Sequence, residues 1–165
     1  MKITCTLSPE SLLEAAKQLT EYAESIQSKT EKLVRSLGEY GAEQAVKNYG
    51  TDHIDTGETV ESIMYIHRGT SGYVQAGGAA VWIEFGTGVI KNNGASHPKA
   101  GELGMSAWGT YGKGYGANPH GWYFPSRYFG WTLTQGIQMN PFMYNTSQDM
   151  RRELLDKAKE VFRTL

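Results

Sequence analysis

The chain has 165 residues and a mass of 18.3 kDa, room for one domain but not for two catalytic ones. Sixteen basic residues against 17 acidic leave a net charge of −1, which argues against tight, sequence-independent DNA binding by a monomer. The longest clean apolar run, Ala79 to Ile83, is far too short to span a membrane, and the single Cys5 excludes an internal disulfide or a cysteine-built zinc cage. Pro9 and Glu10 come too early for a signal-peptide core, so synthesis in a reducing cytoplasm is expected.

Lys2 to Leu7 alternates apolar and polar side chains, which predicts a short strand with Cys5 as a small core residue. Ser8-Pro9-Glu10 then predicts a helix start: Ser caps free amides, Pro pre-sets φ and Glu suits the positive end of the dipole. Leu12, Ala16, Leu19, Ala23 and Ile26 recur at spacings of 4, 3, 4 and 3, and Leu33, Leu37 and Tyr40 continue the stripe. Gly38 and Gly41 predict a weakening or bend, with a second helix running to about Asn48.

Glu61 to Arg68 and Gly72 to Gly77 predict two strands joined at Gly69-Thr70-Ser71-Gly72. Ala79 to Phe85 suits either a strand or one to two helical turns. Gly86 to Gly121 holds ten of the 20 glycines and shows no period, which marks a long insertion at about 89–121. Trp122 to Ile137 predicts a second, aromatic hairpin. Asn140, with Pro141 behind it, predicts the cap of a last helix whose stripe is Met150, Leu154, Ala158, Val161 and Leu165. The expected class is α+β in a single domain, 1–165: a long N-terminal helix, antiparallel strands with a Gly/aromatic loop insertion, and a C-terminal helix.

Catalytic constellations are hard to assemble from this chain. His53 beside Asp52 and Asp55 lacks ligand spacing, and Ser62, Ser106 and Ser126 lie in no nucleophile elbow. Gly109 to Gly116 is rich in glycine but lacks the order and context of a phosphate-binding loop. Glu84, between Ile83 and Phe85, is read as a structural carboxylate that accepts backbone amides from the turn after it. No catalytic residue, cofactor or metal site is assigned. Trp108, Tyr111, Tyr115 and Trp122 are read as contacts to another subunit or partner, since Tyr and Gly together give large adaptable contact area.

Two stretches resemble a known family. The first is Thr56-Gly57-Glu58-Thr59-Val60-Glu61-Ser62-Ile63 followed by Tyr73 to Gly88, ending Trp82-Ile83-Glu84-Phe85-Gly86-Thr87-Gly88. The second is Gly121-Trp122-Tyr123, then Trp131 to Ile137, then Asn140-Pro141-Phe142-Met143-Tyr144-Asn145-Thr146. In order and spacing, over roughly residues 30 to 160, they are similar to the minor capsid or tail-component family of tailed double-stranded DNA phages. Its members act in head–tail joining or tail completion. Thr59 departs from the pattern, which often has Leu there, and the Gly/aromatic insertion is a second departure.

The resemblance implies scaffold roles for Thr56, Gly57, Ser62, Glu84, Phe85, Gly86, Thr87, Pro141 and Phe142. Thr56-Gly57 would turn the chain into the sheet, Phe85 would anchor the end of the second strand, Gly86 would permit a tight exit, and Pro141-Phe142 would start and pin the last helix. It further implies a non-enzymatic virion protein of the head–tail junction, made in the host cytoplasm and assembled as a homo-oligomeric ring. The ring would bind neighbouring neck proteins and the tail tube or tail terminator, and pass double-stranded DNA without reading its sequence or touching a membrane. The alternative is a carbohydrate- or ligand-binding module with Trp108, Tyr111, Tyr115, Trp122 and Trp131 as stacking faces.

Overall fold

A computed structural model describes residues 3–50, 57–87, 97–103, 120–126 and 128–163. Thr56, Trp108, Tyr111, Tyr115 and most of the 89–121 insertion lie outside the described residues. The architecture is α+β. Helix α1 (Pro9–Tyr49) leads through a short helix α2 (Glu58–Glu61) into strands β1 (Met64–Arg68) and β2 (Ser71–Gln75). Helix α3 (Ala80–Phe85), strands β3 (Trp122–Ser126) and β4 (Gly130–Thr134), and helix α4 (Phe142–Phe162) follow. Each strand pair is a separate antiparallel two-stranded sheet.

Helix α1 starts as its residues dictate. Ser8 has extended backbone, its side chain accepts a hydrogen bond from the Ser11 amide at 3.3 Å, and Pro9 takes the first turn. The helix then runs 41 residues, about 60 Å, without a break. Gly38 and Gly41 do not bend it. They are buried where other elements come closest: a β-carbon on Gly38 would fall on the Tyr65 ring, and one on Gly41 would lie 2.6 Å from Met150 Sδ. Close packing decides these glycines, and it outweighs their poor helix propensity.

Helix α4 lies antiparallel along the C-terminal half of α1. Asn48 Nδ2 donates to Thr146 Oγ1 (3.1 Å) and Asp149 Oδ2 (3.0 Å), and one end further on Lys157 Nζ donates to Ser36 Oγ (3.2 Å). Lys157 also sits 5.1 Å above the Tyr40 ring. The expected α4 stripe is only partly buried, because Leu154 lies at the edge of this seam and stays 44% exposed. The core forms at one end of the pair, where Ala45 and Tyr49 of α1 meet Ala80 and Ile83 of α3 and Phe142 of α4. Phe142 is fully buried and meets the Tyr49 ring edge to face at 5.2 Å.

Other local expectations change with tertiary context. Residues 3–7 form no strand and Cys5 is exposed, because among the described residues no strand pairs with this edge. The expected strand from Glu61 begins only at Met64, since Glu58–Glu61 is helical and Thr59 is buried under the following turn. Thr59 Oγ1 there accepts the Ala79 amide, a bond that a Leu could not make. Phe85 therefore ends a helix, α3, and not a strand.

Candidate functional site

Glu84 and Phe85 of α3 and Asn140 to Tyr144 at the start of α4 come together where the two helices meet. Helix α4 has Pro141 at its cap position, which offers no side-chain acceptor. Its free amides need another partner. Glu84 supplies it from α3: Oε2 accepts the Met143 amide at 2.8 Å and Oε1 accepts the Tyr144 amide at 2.9 Å. Oε1 also accepts His97 Nε2–H at 2.8 Å. His97 Nδ1 accepts the Lys99 amide at 3.0 Å, so the network assigns the proton to Nε2.

Glu84 and His97 are both buried, at 7% and 4% exposure. A carboxylate so placed is costly unless paired and hydrogen-bonded. Three donors and the positive end of the α4 dipole offset that cost. Rings close the cluster: His97 lies 4.3 Å from Phe85 and 5.6 Å from Tyr144, centroid to centroid. Both imidazole nitrogens are hydrogen-bonded within the fold, so the pair ties α3 and the start of α4 to the segment at His97–Lys99. The expectation that Glu84 accepts backbone amides holds, but the amides belong to α4, some 60 residues on, and not to the turn after Glu84.

Asn140 likewise works differently from the expected cap. Its Nδ2 donates to the Tyr49 carbonyl (2.9 Å) and the Asn48 carbonyl (3.3 Å), closing the C-terminus of α1, while its own amide donates to the Ile83 carbonyl (2.8 Å). One residue thus joins α1, α3 and the approach to α4.

Gly86 leaves α3 at φ +72 and ψ 163, a conformation open almost only to glycine. Thr87 then pairs twice with Ile137: its amide donates to the Ile137 carbonyl (3.0 Å), and its Oγ1 accepts the Ile137 amide (2.7 Å). Gly57 caps α2 at φ +79. Ser62 Oγ donates to the Thr59 carbonyl (2.6 Å) and accepts the Gly77 amide (2.7 Å). Each of these residues is a staple of the scaffold.

The outward surface lies elsewhere, on the β3–β4 hairpin. Its strands pack chiefly on one another. The register pairs Tyr123 with Leu133 and Pro125 with Trp131, and paired residues share a face. That face is wholly apolar, with Tyr123 64%, Trp131 72% and Leu133 50% exposed. At the turn, Tyr128 and Phe129 form an edge-to-face pair and are 70% and 82% exposed. Trp122, the one described residue among the four predicted contacts, pairs with Thr134 on the opposite face and is half-buried. Tyr123 and Pro125 are the additions, visible in the sequence only once the register is known.

Among the described residues no three His, Cys, Asp or Glu side chains gather as a metal site, and no helix is long and apolar enough to cross a membrane. The chain matches no protein-family model, no curated protein and no solved structure.

Proposed function

We propose that this protein is a structural subunit of the head–tail junction of a tailed double-stranded DNA phage, assembled as a ring that joins the filled head to the tail and lines the DNA path. The observation that carries the reading is the exposed apolar face of the β3–β4 hairpin. A two-stranded hairpin alone in water is marginal, and aromatic faces of this size on a small protein mark a contact with another protein. The resemblance supplies the identity of that contact. The near-neutral charge fits a channel through which DNA slides without being held. The described motif residues serve the scaffold, which suits a protein whose work is assembly.

A ligand-binding module with Trp122 and Trp131 as one stacking platform is disfavoured, because the register puts the two rings on opposite faces of the hairpin. Negative-stain electron microscopy and light scattering of the purified protein test the proposal, with rings expected, alone or with a tail-tube or neck partner. Replacing both Tyr123 and Trp131 with Ala is expected to leave the thermal transition in place and abolish partner binding. A monomer at high concentration that binds no neck or tail protein would overturn the reading.

A further inference from the structure

The two strands of the aromatic hairpin differ at their outer edges. Pro125 has no N–H, so its nitrogen belongs on the side of β3 that faces away from β4. Pro125 and Trp131 are then a pair that exchanges no backbone bonds, and so are Tyr123 and Leu133, two residues along. The N–H and C=O groups of Trp131 and Leu133 therefore point to the outer edge of β4, where no strand pairs with them among the described residues. Proline interrupts the outer edge of β3. The edge of β4, Gly130-Trp131-Thr132-Leu133-Thr134, carries neither proline nor charge, the features that usually keep a sheet edge from pairing.

This edge is complementary to itself. Laid antiparallel about Thr132, two copies set Trp131 opposite Leu133 of the second copy and Thr132 opposite Thr132 of the second copy. Trp131 and Leu133 are the residues with outward groups, so each opposed pair exchanges both of its backbone bonds. Among the registers that oppose outward groups, this one alone pairs all five residues of β4. Opposed residues share a face, so the apolar face of one hairpin runs on into that of the other, with Trp131 beside Leu133 of the second copy. No charge meets a like charge, because the strand has none. The pairing joins two two-stranded sheets into one, which relieves the marginal stability of a lone hairpin. It also stops there: the outer strands of the joined sheet are the two copies of β3, each interrupted by Pro125.

We infer that two copies of this chain pair antiparallel through β4, edge to edge about Thr132, as a closed two-fold dimer. This pairing does not rest on the ring reading. It uses the edge of the hairpin and leaves the apolar face open to the contact proposed above.

Opposed residues that exchange no backbone bonds approach to about 4.5 Å between Cα atoms, close enough for a disulfide. In a Cys5→Ser background, Thr132→Cys is therefore expected to give a covalent dimer under mild oxidation. Phe124→Cys, across from Thr132 on β3, is expected to give at least about tenfold less. Thr132→Lys and Thr132→Glu are each expected to weaken the dimer by at least about tenfold in sedimentation equilibrium, since like charges then face each other. An equimolar mixture of the two variants is expected to dimerise again, a rescue that a folding defect would not show. Dimers that form with neither the Thr132→Cys cross-link nor this rescue overturn the inference and leave the ring reading standing. A monomer at every concentration also overturns it, and the ring reading is then decided by binding to a neck or tail protein. Fibres in place of dimers overturn the closed pair, because they require an edge beyond Pro125 to be open.

Discussion

Glu84 and His97, 13 residues apart, meet through one 2.8 Å hydrogen bond inside the protein, and Glu84 caps a helix that begins 58 residues after it. Glutamine at position 84 would turn one acceptor into a donor facing amide donors. Glu84→Gln is expected to cost about 2–3 kcal/mol of stability, read by chemical denaturation. In a double-mutant cycle with His97→Ala the two sites should couple by at least about 0.5 kcal/mol. Additive effects would show that the bond is incidental.

Gly86 tests the exit from α3. At φ +72 and ψ 163 a β-branched side chain is strained, so Gly86→Val should cost on the order of 1–3 kcal/mol. An unchanged melting temperature would show that the backbone there relaxes freely.

Gly38 separates packing from propensity. On an exposed helix, Gly→Ala would stabilise by about 1 kcal/mol. Here the new methyl meets the Tyr65 ring, and the net effect should be destabilising by roughly 1–2 kcal/mol, as overpacking is. A stabilised Gly38→Ala variant would contradict the contact. Tyr65→Ala in the same chain should restore the helix-propensity gain.

Phe142 carries the core. It is fully buried against Tyr49, and Phe142→Ala should lose about 3–5 kcal/mol. A loss below about 1 kcal/mol by urea denaturation would mean that the core lies elsewhere.

Alkaline pH should weaken the fold through Tyr65. Burial raises its phenol above the ordinary 10.0, Arg35 opposes the rise and Glu39 adds to it. A folded value above the unfolded one means stability present in full below pH 10 and lost as pH climbs through the folded value. Tyr65→Phe should therefore lose less stability between pH 9 and pH 11 than the wild type, about these values. Tyr40, raised first by burial and then by Glu153 and Asp149, retains part of the slope. Identical pH profiles would remove Tyr65 from this account.

The sequence by itself determined what depends on neighbours along the chain. Ser8-Pro9-Glu10 starts α1 because capping and fixed φ act within one turn. Gly69 turns β1 into β2 at φ +60, and alternating runs make strands on either side of such turns. The α+β class follows from those local signals. Tertiary structure decided the rest, because burial and hydrogen-bond partners are set across the fold. Gly38 and Gly41 look like helix breakers until Tyr65 and Met150 occupy the space they leave. Asn140 looks like the cap of α4, yet it closes α1, and the cap of α4 is Glu84. His97 has no local signal, since its two partners are a carboxylate 13 residues back and an amide two residues on. The apolar face of Tyr123, Pro125, Trp131 and Leu133 exists only through the register that pairs them, because a slip of one residue would turn each side chain to the other side of the sheet.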